Sequence, residues 1–415
     1  MIPSTSKHVR RVLSGDLCSG CGLCAGLTGS AMTVEPPGFN RPRISKPVPP
    51  QVEQAIAQSC PGLVIAPWPS APNSHEYWGP YVDLHTGHAA DPRLRHKASS
   101  GGLLSALLLH ALEQGLVDGV VEVGPDPARP TANLIILSRS KSDILNGAGS
   151  RYAPSSPLHQ INELLEYDGR LAFVGKPCDV SALRLYGRSD RRVEERFPLV
   201  LSFFCAGVPS LDRSDAIVRK LGLEPARLKS FRYRGEGWPG EAKAVGEDGN
   251  ERRMSYADSW GGELSKEVQF RCKICPDAVG GSADLVCADA WFADEQGYPT
   301  FDDLPGRSLV IARSPAGAQL LRAAIRAGAV EIDAGAVDPR AIELMQPGQT
   351  KKKRSVLARI LALRMLGQSI PRMRGLGITT AARRSPLAES ARNFLGMVRR
   401  RGPKAVTVWN NKKSC

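Results

Sequence analysis

Arg170-Leu-Ala-Phe-Val-Gly-Lys-Pro-Cys-Asp179 is the stretch that decides the fold. After Arg170, residues 171–174 form an apolar, β-prone run, and Gly-Lys-Pro then breaks the strand and leaves a cysteine just beyond its end. The same alternation recurs on both sides. Residues 119–123 and 133–138 read as strands and 157–167 as a helix, while 197–205 reads as a strand and 211–221 as a helix. Residues 243–246 and 251–255 flank Glu247-Asp-Gly-Asn250 as a hairpin, and 308–312, 315–327 and 330–333 add a strand, a helix and a strand. Short strands alternating with helices, followed by a more antiparallel segment, predict a mixed α/β core.

The chain has 415 residues, 42% of them hydrophobic, which is enough to bury two or three domain cores. No stretch approaches the roughly 18 apolar residues of a membrane span. The opening residues 1–11 lack the apolar centre of a signal peptide, so a cytoplasmic location is expected. The net charge of +14 is unevenly placed: residues 351–415 hold 17 Lys or Arg against the single acid Glu389, and the remainder holds 38 basic and 40 acidic side chains. Such a tail is expected either to be a solvated extension or to meet a polyanion, namely the inner membrane leaflet, an acidic partner or, less favoured, nucleic acid.

Ten cysteines in a chain of this kind point to metal or redox chemistry rather than disulfides. Cys18-Ser-Gly-Cys21-Gly-Leu-Cys24 repeats a two-residue gap, which suits successive irons of a [4Fe-4S] cube better than one zinc ion, though structural zinc remains the alternative. Where a bacterial ferredoxin continues to Cys-Pro, this chain has Thr28-Gly29, and Cys60-Pro61 is expected to return the fourth ligand on a helix over 50–58. Residues 1–72 thus read as a ferredoxin-like module with a proline-rich linker, 73–348 as the core and 349–415 as a basic, partly helical extension. Cys178, Cys205 and the pair Cys272-Lys-Ile-Cys275 fall at chain breaks of the core and suit a second cube; a buried structural thiol is the competing reading for Cys178 and Cys205. Lys97-Ala-Ser99-Ser100-Gly101-Gly102 precedes an apolar helix, so amides, hydroxyls and a cation gather as at a phosphate site, or as an ordinary cap. Neither a G-x-G-x-x-G nor a Walker sequence occurs.

In order along the chain, residues 97–102, Gly149-Ser150-Arg151-Tyr152, Lys176-Pro-Cys178, Cys205-Ala-Gly-Val-Pro-Ser210, Arg271-Cys-Lys-Ile-Cys-Pro-Asp277 and Ala283-Asp-Leu-Val-Cys-Ala-Asp289 resemble the coenzyme F420 hydrogenase/dehydrogenase beta-subunit family. This family also includes formate dehydrogenase beta subunits and chlorophyll(ide) reductases. The resemblance spans residues 15–345 and implies an oxidoreductase in which FAD sits between a hydride partner and one-electron clusters. It implies FAD contacts from Lys97, Ser99, Ser100, Gly101, Gly102, Gly149, Ser150, Arg151, Tyr152 and Asp289. It also implies a place for Lys176 beside both flavin and cluster, and internal ligation by Cys178, Cys205, Cys272 and Cys275. Cys287 stands outside that ligand set. His96, next to the flavin loop, is the candidate proton relay, with a surface role as the competing reading. The implied partners are an electron donor such as ferredoxin or another redox subunit and a small-molecule substrate, one of which could be a deazaflavin. A non-catalytic electron-transfer subunit and a metal-stabilised nucleic-acid-binding protein are the alternatives.

Overall fold

Alternation within single strands builds a core with two apolar faces. In the run 171–174, Ala172 and Val174 point to one face and Leu171 and Phe173 to the other; Leu199 and Leu201 oppose Val200 in the same way, and Leu285 and Cys287 oppose Val286. The computed structural model describes residues 4–294 and 300–402. Its large sheet has strands β1 (Asp83–Ala89), β2 (Gly119–Asp126), β3 (Arg129–Ser138), β4 (Leu171–Gly175), β5 (Leu199–Phe203), β6 (Leu285–Asp289), β7 (Ser308–Ala312) and β8 (Val330–Ile332). They lie in the order β8-β1-β7-β6-β5-β4-β2-β3. The middle four, β6-β5-β4-β2, are parallel, and every pairing outside them is antiparallel. The expected mixed α/β architecture is present, with the antiparallel hairpin Ala242–Gly246 and Glu251–Met254 joined by Leu228–Arg232 in a separate three-stranded sheet.

The helices that place the site are α1 (Lys7–Ser14), α2 (Leu23–Thr28), α3 (Pro50–Ser59), α4 (Leu103–Glu113), α5 (Pro177–Gly187), α6 (Pro315–Arg326), α7 (Pro347–Met365) and α8 (Leu387–Arg401). Leu103 and Leu107 of α4 and Leu320 and Leu321 of α6 cover one face of the sheet; Val180 and Leu183 of α5 cover the other. A proline at N1 starts α3, α5, α6 and α7, where the lost amide costs nothing.

Both ends of the chain pack against its middle. The proline-rich segment after Cys24 contains a regular hairpin, Ala31–Glu35 paired with Phe39–Arg43, because Gly38 takes the left-handed turn conformation (φ 103°). The amino-terminal segment is also not hung on a linker: Cys21 and Leu23 are buried with Phe173 and Val200 in the core beneath the sheet. The basic carboxy-terminal region, as far as it is described, is not a solvated tail. Ala362 and Leu363 of α7 and Met397 of α8 are fully buried against Val12, Leu17 and Cys18. Burial of these side chains turns a charge-rich sequence into part of the core. No helix among the described residues is long and apolar enough to cross a membrane, and nothing in the packing places the protein at a membrane face. Lys404, Lys412, Lys413 and Cys415 lie outside the described residues.

Candidate functional site

The parallel strands all end on one edge of the sheet, and the polar side chains converge there. This is where crevices open in α/β sheets. A cavity of about 290 Å³ lies at this edge, walled by the ends of β2, β4, β5 and β6 and by the start of α4. Gly102, at φ 75°, caps α4 without any side-chain hydrogen bond to the first turn, and Leu104 and Ser105 of that turn line the cavity. An uncapped helix start of this kind offers free amides and a positive dipole end to an anion.

Most of the residues expected to contact a flavin are in the wall: Ser99, Ser100, Gly102, Gly149, Ser150, Arg151, Tyr152, Lys176 and Asp289. Ser150 donates to the Ser99 hydroxyl at 2.7 Å and so ties the two loops together. At Gly149 the backbone φ is 125°, and a Cβ there would stand 2.6 Å from the Arg232 guanidinium, so this turn requires glycine.

Arg151 and Asp289 are positioned rather than free. Arg151 donates to Asn133 Oδ1 and to the carbonyls of Pro130, Ala132 and Phe231 while stacking on Tyr233, so its donors hold the loop. Asp289 accepts two hydrogen bonds from Arg234, both at 2.8 Å, and a third from Trp238.

Three expected residues are placed elsewhere. His96 is exposed at the end of the helix Pro92–Lys97, where its carbonyl accepts from Gly237, and it does not reach the cavity. The Lys97 carbonyl accepts from Arg232, and its side chain is not in the wall. Gly101 is needed for close packing: a Cβ would stand 2.7 Å from both Gly87 O and Ser308 N.

The sequence reading missed the far wall. Tyr256, Trp260 and Trp291 form it, with Gln346 and Gln349 from the start of α7. Trp260 sits in the π-helical segment Ala257–Glu263; such segments recur at functional sites. Trp291, two residues after Asp289, was the available signal. The Gln349 side-chain oxygen is buried without a hydrogen-bond partner, so the cavity keeps an acceptor for a donor it does not itself supply. Glu122, also in the wall, is buried with its carboxyl pushed up to about 7 by desolvation, although Ser138 donates to it at 2.6 Å.

The cysteines assemble into two groups of four. Burial pushes the Cys21 thiol up to about 12, with Asp179 and Cys18 adding to the effect. Burial raises Cys24 and Cys60 further, and Cys24 interacts with Cys60, Cys21 and Cys18. The Gly20 amide donates to the Cys18 sulfur at 3.4 Å. In the second group, burial and Asp179 raise Cys178, which interacts with Cys205 and Cys272; burial pushes Cys205 up to about 11, and it interacts with Cys272 and Cys275. Cys21, Cys24 and Cys60 in one group and Cys178 and Cys205 in the other have charged forms disfavoured by burial and by neighbouring negative charge, a condition that a cationic centre would relieve. Among the described residues no three His, Cys, Asp or Glu side chains close tightly enough for a single metal ion. Cys287 is raised by burial alone and joins neither group.

Lys176 stands between these parts. Its ammonium donates to Asp179 at 2.7 Å and to Ser155, and both Lys176 and Asp179 line the cavity. Burial opposes its charge, but Asp179, Cys178 and Cys21 overcome that and hold it above the ordinary lysine range. One cation thus interacts with a cysteine of each group while facing the cavity. The helix α7 closes the assembly: Lys352 donates to the carbonyls of Cys205 and Ala206, Lys353 to that of Pro276, and Arg359 to that of Lys273.

Two family models for the beta subunit of coenzyme F420 hydrogenase/dehydrogenase match the chain, the amino-terminal one over residues 84–162 and the carboxy-terminal one over residues 168–337. The coenzyme F420 hydrogenase subunit beta of Methanothermobacter thermautotrophicus is 24% identical over 309 residues, covering 71% of this chain and 99% of that protein. The F420-dependent formate dehydrogenase 1 subunit beta of Methanococcus maripaludis is 27% identical over 271 residues, covering 63% of this chain and 64% of that protein. Among solved structures, a chain of the F420-reducing [NiFe] hydrogenase complex from Methanosarcina barkeri shares the fold, with a TM-score of 0.50 and 24% identity over 69% of this chain and 96% of that one.

Proposed function

The chain belongs to the coenzyme F420 hydrogenase/dehydrogenase beta-subunit family, which consists of oxidoreductases, and from that premise we propose that it is an iron-sulfur flavoprotein. It would hold FAD in the cavity, one [4Fe-4S] cluster on Cys18, Cys21, Cys24 and Cys60, and another on Cys178, Cys205, Cys272 and Cys275. The observation that carries this reading is continuity. Cys205 belongs both to the cavity wall and to the second thiol group, Ala206 and Gly207 continue the wall beside it, and Lys176 joins that wall electrostatically to both groups.

When bound, a flavin exchanges a hydride for single electrons, and a [4Fe-4S] centre carries electrons one at a time. The chain's residues would do the placing. The uncapped start of α4, with Ser99 and Ser100, receives phosphate oxygens; Gln349 accepts a hydrogen bond at the far side; Lys176 compensates negative charge between flavin and thiolates, with Asp179 fixing its position. The aromatic wall of Tyr256, Trp260 and Trp291 suits a planar conjugated hydride partner, of which a deazaflavin is one example. An electron donor protein or redox subunit would complete the system.

The test is anaerobic purification followed by iron, sulfide and flavin analysis. About two clusters and one flavin per chain are expected. Zinc without sulfide would overturn the cluster assignment, and a colourless protein that takes up no FAD would overturn the cavity assignment.

A further inference from the structure

We propose that α7 and α8 form the docking platform for an acidic one-electron carrier protein, a role that rests on the cluster reading above and places the partner on it. Both helices lie beyond the residues matched by the family models. Their inner sides are committed to the two thiol groups. α7 donates to the carbonyls of Cys205, Ala206, Lys273 and Pro276, and the core between the helices contains Cys18 and borders Cys60.

The outer side is different in kind. On α8, Arg392, Leu395 and Arg399 recur at the three- and four-residue spacing of one helical face, and Leu395 is 64% exposed. On α7, Leu361, Arg364 and Met365 do the same, with Met365 62% exposed. Among the described residues none of Arg364, Arg392, Arg399 and Arg400 is ion-paired, and the only acid between residues 351 and 402 is Glu389. Unpaired arginines around exposed leucine and methionine give a cationic surface with an apolar centre, the complement of an acidic protein with a small apolar contact patch. Docking there sets the carrier over the Cys272–Cys275 loop. The transfer it permits moves one electron and no atoms, the carrier being oxidised as this chain is reduced.

The probe is a plant-type [2Fe-2S] ferredoxin, a small acidic protein, titrated by calorimetry into the anaerobically purified full-length protein over a series of NaCl concentrations. Affinity should fall steeply with salt. The double variant Arg392→Glu and Arg399→Glu should weaken binding at low salt at least tenfold and flatten the salt dependence. Lys229→Glu with Arg252→Glu, exposed on the three-stranded sheet, should leave binding unchanged. Reduction of the double variant by dithionite and methyl viologen should match the parent. No binding by the parent, a parent affinity indifferent to salt, or equal weakening by the two double variants would overturn the proposal. Binding of phosphatidylglycerol vesicles in place of the acidic protein would overturn it as well. Iron and sulfide measured on the same samples report separately on the cluster reading.

Discussion

Glu122 shows how one side chain in the cavity wall links structure to pH. Its folded value of about 7 lies above the ordinary 4.5 of a free carboxyl because burial disfavours the anion. As pH rises past 4.5 the unfolded chain releases this proton while the folded chain keeps it until about 7, so the folded state loses stability across that window and the loss is complete above it. Glu122→Gln keeps a neutral acceptor for Ser138 and removes the loss. Compared with the parent in flavin-free form, the variant should gain stability between pH 4.5 and 7, by at most about 3 kcal/mol, in urea melts taken across pH. A constant offset between the two proteins would mean that the carboxylate is already ionised in the fold. A second residue-scale expectation concerns the two thiol groups. Cys60→Ala should lose or degrade one cluster and Cys178→Ala the other, each leaving FAD bound; iron content equal to the parent in either variant would make that cysteine an ordinary thiol. Cys18, Cys21, Cys24, Cys272 and Cys275 stand out in the sequence because C-x-x-C spacing is local, whereas Cys60, Cys178 and Cys205 stand alone in the chain. His96 is adjacent to the flavin loop in the chain, and the structure places it exposed at the end of the helix Pro92–Lys97, in line with the surface role weighed against the proton relay.

Among the elements, most strands of the large sheet were legible but those over 83–89 and 285–289 were not, and the last helices were read only as a basic, partly helical extension. Two of the parallel strands declare themselves as short apolar runs, so 170–174 and 197–205 could be placed from the sequence, and with them the edge on which Cys205 lies; the strand over 285–289, which carries Asp289, was not read as one. Helix α7 reads as a charged segment because composition counts every lysine and arginine alike. In the fold, Lys353 is buried, donates to Pro276 and Leu376 carbonyls, and stacks 3.9 Å over Trp68, partners separated from it by 23 to 285 positions in the chain. Sequence periodicity carries no record of such contacts. The same holds for the cavity's far wall, which draws Tyr256, Trp291 and Gln349 from three separate segments. The packing of α7 gives a prediction. Leu363 is fully buried beside Cys18 and Ile274, so Leu363→Ala should cost about 2 to 5 kcal/mol. In iron-free protein the variant should also raise the rate at which Cys18 and Cys60 react with a maleimide. Unchanged labelling would show that the helix does not guard the amino-terminal thiols.

For the whole molecule, the three expected regions share cores rather than standing side by side. Cys21 and Leu23 are buried under the sheet, and Val12, Leu17 and Cys18 pack with Leu363 and Met397. Thermal unfolding should therefore be one transition, with near-ultraviolet circular dichroism and limited proteolysis of the first 60 residues changing together; an early, separate loss of the amino-terminal segment would show it to be an independent unit. The burial of Cys18 by Leu363 and Met397 also sets an order of events during biosynthesis. Cys18 to Cys60 leave the ribosome first and the helices that cover them leave last. At about 5 to 20 residues per second, roughly 20 to 70 s pass between the two. Throughout that interval the first thiols are uncovered, so the metal loading proposed for them would have a window that synthesis of Leu363 and Met397 closes.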